Sequence, residues 1–314
     1  MKILTVTMNP VIDKTTTTEM VMPHKKIRCT PPSYEPGGGG INISRAIKKL
    51  GGSSVAWYLA GGKAGDVLYE LLEEEGVEQR KFEMNNDIRE NLLVYSKNTD
   101  ENYRITMAGP EVDKTEWQQI LDEIHKLDET PEYVVASGSL PRGVPDDFYA
   151  RLAKAAKKLD SKFILDTSGE PLKKALEEGV FMVKPNLKEM AFLMGKEDIT
   201  SQDIENKAHD FILDDSCQML VISLGAKGAM LASRENIIEY FVPPVMPVNS
   251  AVGAGDSMIG GMLVGFMKDY WASQAVKYGV AAGTAATMTD GSELCTKEET
   301  DKIYDWVKTY KDKV

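Results

Sequence analysis

Asp256 follows Gly253-Ala254-Gly255 and precedes the apolar run Met258 to Phe266. Small residues over a helix start leave its first N–H groups open to an incoming anion, and the aligned peptide dipoles favour negative charge there. A carboxylate beside such an anion hole suits phosphoryl transfer. The N–H groups stabilise charge on the moving phosphoryl, and the carboxylate takes the acceptor hydroxyl's proton. Alone, the same text is also an aspartate capping a glycine-rich turn. Other parts of the chain must decide between the two.

Three further groups of residues bear on that choice. Gly37-Gly38-Gly39-Gly40 runs straight into an amphipathic helix through Asn42, Ala46 and Leu50, so it reads as backbone opened to a sugar rather than as a linker. It is neither a Walker A loop nor a G-x-G-x-x-G fingerprint. The missing fingerprint weighs against a dinucleotide-binding oxidoreductase. Asn186 and Glu189, spaced Asn-x-x-Glu after a strand, could offer two oxygens to a hydrated Mg2+, although any helix start can look alike. Arg89, Arg104, Lys26 and Arg28 read either as solvated strand charges or as a basic lid over a phosphate. His24, His125 and His209 lack ligand spacing.

The elements that must position these residues alternate. Strands are expected at Ile3–Thr7, Ser54–Leu59, Tyr133–Ala136, Phe163–Leu165, Phe181–Val183 and Met219–Ser223. Helices are expected at Asp66–Glu75, Asp146–Lys158, Asp203–Leu213, Trp271–Thr287 and Lys297–Lys311. Short apolar strands between helices imply an α/β fold, a doubly wound and mainly parallel sheet covered on both faces. Ligands in such sheets bind beyond the carboxyl ends of the strands. Asp13, Gly138-Ser139, Asp166, Lys184-Pro185-Asn186 and Ser223-Leu224-Gly225-Ala226-Lys227-Gly228 all stand at those exits. Two β-rich stretches differ from this pattern. Residues 15–34 and 91–107, the latter a hairpin pattern, are expected to form a small β lid, with residues 1–14, 35–90 and 108–314 as the main domain. The apolar lid residues Ile27, Leu92, Val94, Tyr103 and Ile105 would face water in a lone chain, so the lid is expected to form a homodimer interface.

Composition narrows the partners. The 314 residues, 42% hydrophobic and 27% charged, suit one large globular α/β protein. A net charge of −11 argues against nucleic acid or an anionic membrane. No apolar run reaches membrane-spanning length, and the N-terminus reads as a strand rather than a signal peptide. Cys29, Cys217 and Cys295 lack metal-site spacing and fit free thiols in a cytoplasmic protein.

Taken in order, the glycine-rich site, Lys-Pro-Asn-x-x-Glu and Gly-Ala-Gly-Asp resemble the marks of the ribokinase-type (PfkB) carbohydrate kinases over nearly the whole chain. Lys26 to Pro32 leading to Glu35-Pro36-Gly37-Gly38-Gly39-Gly40-Ile41-Asn42 is most similar to the branch of minor 6-phosphofructokinases. Arg89-Glu90-Asn91-Leu92, Ser137-Gly138-Ser139-Leu140-Pro141 and Gly279 to Gly283 agree with it. Thr7-Met8-Asn9-Pro10-Val11-Ile12-Asp13 looks more like the 1-phosphofructokinase and tagatose-6-phosphate kinase branch.

The resemblance implies a ribokinase-like fold and ATP-dependent phosphorylation of the 1-hydroxyl of fructose 6-phosphate. Tagatose-6-phosphate kinase, 1-phosphofructokinase and a non-catalytic sugar-phosphate-binding regulator are the alternatives. It implies Asp256 as base with Gly253, Ala254 and Gly255 forming the anion hole. The sugar is expected at Val11, Ile12, Asp13, Gly38, Gly39, Gly40, Ile41 and Asn42. Its phosphate is expected at Arg89, Arg104 and Ser139, with Lys26 and Arg28 arriving from a partner chain. Lys184, Asn186, Ser223 to Gly228, Val280, Gly283 and Thr284 would line the ATP site. Asn186 and Glu189 would organise Mg2+. Ser250, Val252, Ala286, Thr289 and Gly291 would surround K+.

Overall fold

The computed structural model describes residues 2–234, 238–291 and 293–309. Strands β1 (Ile3–Thr7), β4 (Val55–Ala60), β5 (Glu78–Glu83), β8 (Tyr133–Ser137), β9 (Lys162–Asp166), β10 (Val180–Val183), β11 (Cys217–Ser223), β12 (Ala229–Ser233) and β13 (Ile238–Phe241) build one sheet. Its order is β13-β12-β11-β10-β9-β8-β1-β4-β5. Every pairing from β11 to β5 is parallel, while β12 and β13 are antiparallel. The sheet is thus mainly parallel, as expected. The antiparallel pair and β5 went unread, because Glu-Gln-Arg-Lys-Phe-Glu at β5 carries one buried apolar residue and none of the patterning of a central strand.

Ten helices are assigned among the described residues: α1 (Gly39–Lys49), α2 (Gly62–Glu74), α3 (Lys114–Ile124), α4 (Phe148–Lys158), α5 (Gly169–Leu176), α6 (Leu187–Met194), α7 (Ser201–Leu213), α8 (Ala254–Phe266), α9 (Ala272–Thr287) and α10 (Lys297–Thr309). The last two residues of the expected Lys297–Lys311 helix lie outside the described residues. Successive side chains of a strand face opposite sides, so each sheet face has its own core. Leu4, Val6, Val134 and Phe148 belong to one; Ile3, Tyr133, Val135, Ile259 and Leu263 belong to the other. That is the doubly wound arrangement. No helix among the described residues is long and apolar enough to cross a membrane.

A separate four-stranded sheet, ordered β3-β2-β6-β7, is made by β2 (Val11–Thr18), β3 (Ser33–Gly37), β6 (Arg89–Ser96) and β7 (Glu101–Ile105). It is longer than the expected lid: β2 and β6 start at Val11 and Arg89, and β3 ends at Gly37, so the sheet grows directly out of the site loops. Residues 19–32 carry no strand.

One expectation about the lid is corrected. Val94 is buried, not facing water. It stands opposite Thr16 in register, and the Thr16 and Thr18 hydroxyls donate to the Thr30 and Arg28 carbonyls. Residues 28–30 therefore run along that face within the same chain. Ile27 and Ile105 are exposed, together with Tyr34 and Met107.

Candidate active site

Helix α8 begins at Ala254, with Gly253 as its N-cap in the left-handed region at φ 73°. A Cβ on Gly253 would collide with Leu294 Cδ2, and this backbone conformation favours glycine. Asp256 lies in the first turn and is not the cap, which removes the capping explanation for it. Its Oδ2 accepts a 2.9 Å hydrogen bond from Asn42 Nδ2 on α1. Burial, aided by the nearby negative Asp166, pushes its carboxyl up to about 6; Asn42, Lys184 and Ser137 pull the other way. A carboxylate so poised is still mostly ionised at neutral pH and is a better base than an ordinary aspartate.

Lys184, at the exit of β10, is buried and reaches Asp166 at 3.4 Å. A Cβ on Gly255 would lie 3.2 Å from Lys184 Nζ. The lysine thus brings its charge beside the first turn of α8. Asp166 and Ser137 join the site although neither was assigned a role from sequence. Their signal was their position at the exits of β9 and β8.

The glycine run has two uses. A Cβ on Gly39 would collide with Ser137, and one on Gly40 would lie 2.6 Å from Thr7 Oγ1. Both glycines let the start of α1 press against the ends of β8 and β1. Gly38, the N-cap of α1, has φ 114°. Ile41 N–H donates to Thr7 Oγ1 at 2.8 Å and is not offered to a ligand. The side chains of Val11, Ile12 and Ile41 are buried, those of Ile12 and Ile41 within the core, so what these positions can offer a ligand is backbone. Asp13 is half-buried and accepts from Asn91 Nδ2 at 2.9 Å, while Asn91 Oδ1 receives Met107 N–H. Asp13, Asn91, Leu93 and Arg104 line one cavity with Val252 and Gly291, joining the lid to the α8 loop.

Beside it stands a cationic corner. Arg89 Nη2 donates to Asn9 O at 3.3 Å, and Asn9 Nδ2 donates to Ser139 Oγ at 3.1 Å. Arg89 Nε and Asn9 Oδ1 are buried without a partner. Burial and the like charge of Arg104 pull the Arg89 guanidinium below its ordinary value, with Asp13 opposing. An anion would satisfy the open donor and relieve the repulsion. Asn9 was not singled out from sequence. Lys26 and Arg28 are exposed on the irregular segment, and no interaction brings their side chains to Arg89, Ser139 or Asp13 within this chain.

The presumed nucleotide residues divide. Ser223 ends β11, its N–H bonded to Pro185 O, and Gly225–Lys227 form an exposed single turn closed by Leu224 N–H to Gly228 O. Val280 instead packs its side chain into the core, while the half-buried Thr284 donates its hydroxyl to Val280 O and keeps its acceptor lone pairs. Gly283 lets α9 approach α8: a Cβ there would lie 3.0 Å from Ala254 O.

Asn186 and Glu189 form a reciprocal capping box on α6. Asn186 Oδ1 accepts from the Lys188 and Glu189 N–H groups, and Glu189 Oε2 accepts from Asn186 N–H at 2.8 Å. The Asn186 oxygen is thereby committed to the helix start. Burial raises the Glu189 carboxyl, opposed by its bond to Asn186 and assisted by Asp166. No cluster of three metal-ligating side chains occurs among the described residues. Just before the start of α8, Ser250 Oγ donates to Gly291 O at 2.8 Å, and Thr289 Oγ1 shares its one hydrogen between Ala286 O and Leu294 O at 2.9 and 3.0 Å. These bonds gather carbonyls next to Gly253, each keeping a second lone pair.

Comparison with known proteins gives the family. Residues 6–299 match the model of the pfkB family carbohydrate kinases. The chain belongs to that family. It is a kinase of the ribokinase-like fold. The ATP-dependent 6-phosphofructokinase isozyme 2 of Escherichia coli is 40% identical over 304 residues, covering 96% of this chain and 98% of that one. The 1-phosphofructokinase of Bacillus subtilis is 32% identical over 306 residues, covering 98% of each. The crystal structure of Escherichia coli phosphofructokinase-2 in complex with potassium superposes with a TM-score of 0.93 at 38% identity, covering 98% of this chain and 99% of that one. The same enzyme has been solved with fructose-6-phosphate and in a tetrameric inhibited form.

Proposed function

We propose that this kinase transfers the γ-phosphoryl of ATP to the 1-hydroxyl of fructose 6-phosphate, giving fructose 1,6-bisphosphate. The observation that carries this reading is the Asp256 carboxylate in the first turn of α8, hydrogen-bonded by Asn42. The cationic corner of Arg89, Arg104 and Ser139 lies near Asp13 and can hold a phosphate already on the acceptor. Asp13 and Asn42 bind and orient the sugar hydroxyls. Asp256 takes the proton of the attacking hydroxyl. The N–H groups of Ala254, Gly255 and Asp256, with Lys184, stabilise the charge that develops on the phosphoryl oxygens.

Mg2+ fits the residues present. Burial and the neighbouring Asp166 disfavour the charge on Glu189, and a cation there would be favoured by both carboxylates. Glu189 and Asp166 would hold the ion through water, with Asn186 fixing Glu189, and the ion supplies charge neutralisation on the transferred phosphates. K+ fits the carbonyls gathered around Ser250, Val252, Ala286, Thr289 and Gly291, where it would stiffen the loop that ends in Gly253. The composition and this chemistry suit a cytoplasmic enzyme.

The 1-phosphofructokinase relatives keep a second substrate in view. Coupled assays of ADP formation with fructose 6-phosphate, fructose 1-phosphate and tagatose 6-phosphate separate the readings. The highest kcat/KM is expected for fructose 6-phosphate. A higher value for either other sugar overturns the substrate, and no turnover with any of them would favour a regulator.

A further inference from the structure

Arg45, on α1, is only 2% exposed, an unusual place for a charge. Its guanidinium grips Glu75 with two prongs, Nε to Oε2 at 2.7 Å and Nη2 to Oε1 at 2.6 Å. Nη1 donates to Pro36 O at 2.8 Å and to Asn42 Oδ1 at 3.3 Å. Asn42 donates onward from Nδ2 to Asp256 Oδ2.

The chemistry of this chain of bonds is directional. A guanidinium has donors only, and a carboxylate has acceptors only. A side-chain amide between them has one satisfactory orientation, oxygen toward Arg45 and N–H toward Asp256. Turned over, it would set its NH2 against the guanidinium and its oxygen against the carboxylate. We propose that Arg45 is a positioning residue for phosphoryl transfer, locking the Asn42 amide so that its N–H faces the Asp256 carboxylate, with Glu75 holding Arg45 in place. This rests on the reading of Asp256 as the base. The bond from Asn42 also favours the ionised carboxylate, so the lock keeps the base active at lower pH. Because Arg45 grips Pro36 on β3 as well, the root of the lid and the base share one fixed point.

The competing account is a buried ion pair that serves only the fold, and a pH profile separates the two. Arg45→Met should lower kcat roughly tenfold, leave the KM for ATP within about twofold, and move the acid limb of kcat upward by about half a unit or more. In an Asn42→Ala background the same substitution should change kcat by less than about twofold, because its effect passes through Asn42. Arg45→Gln, a neutral amide able to accept as well as donate, no longer dictates the orientation and should move the limb in the same direction. It carries the test where Arg45→Met does not fold.

A folded variant of either kind with the wild-type limb overturns the proposal, as does an undiminished Arg45→Met penalty in the Asn42→Ala background. Failure of the base reading looks different: Asp256→Asn would keep its turnover. If only the role of Arg45 fails, Asp256→Asn loses turnover while the Arg45 variants keep the wild-type limb.

Discussion

Replacing Arg89 by alanine should weaken the acceptor and spare the nucleotide. The guanidinium is already desolvated by the fold, its Nε has no partner, and its one bond to Asn9 O is long at 3.3 Å. Little of its hydrogen-bonding capacity is therefore spent within the protein, and most remains for a ligand. A hydrogen bond to a charged group contributes about 1.5–3 kcal/mol, and 1.4 kcal/mol is about tenfold in affinity. Loss of one such bond to the 6-phosphate should raise the KM for fructose 6-phosphate by roughly 10- to 100-fold. Arg104 and Ser139 remain, so binding is not abolished. Alanine also removes a half-buried cation that repels Arg104, so the fold should tolerate it. Initial rates with each substrate varied at saturation of the other give both constants. Equal rises in the KM for fructose 6-phosphate and for ATP would mean that Arg89 supports the fold or the nucleotide site, and the phosphate assignment would be wrong.

Two further outcomes are expected. Activity should be higher in potassium than in sodium-only or tetramethylammonium buffer, because the carbonyls gathered by Ser250 and Thr289 adjoin Gly253; equal rates in all three would count against a cation site. The chain should associate at least as a dimer through the exposed Tyr34 and Ile105 of the lid, which would bring Lys26 or Arg28 toward a partner's sugar phosphate. Sedimentation of the wild type and of Ile105→Glu, each with and without substrate, tests this, and a monomeric wild type at full specific activity refutes it.

The sequence disclosed what depends on local spacing. Gly253-Ala254-Gly255-Asp256 became a helix start with the carboxylate in its first turn, because no side chain there is large enough to cover the N–H groups. The hairpin around 97–100 was legible from apolar alternation broken by a polar turn. What stayed hidden depends on distant pairing. Val94 reads as an exposed strand residue until residues 28–30 are known to run along its face. Asn-x-x-Glu reads as a ligand pair, yet Asn186 and part of Glu189 are spent on the α6 cap. Asn9, Ser137 and Asp166 acquire meaning only when the sheet sets β1, β8, β9 and β10 side by side. Arg45 is one basic residue among many in a helix until Glu75, 30 positions away, is found against it.

The claim on which the rest depends is that Asp256 is the general base. Its most direct test is the pH dependence of kcat for the wild type beside the turnover of Asp256→Asn. The base must be ionised to act, so wild-type activity should rise with pH through the Asp256 value, raised by burial to about 6. The asparagine variant keeps shape and removes the base. Its kcat should fall at least about 10²-fold, with nucleotide binding nearly unchanged. A variant keeping more than about a third of wild-type turnover, against the hundredfold loss expected when a general base is removed, would contradict the account.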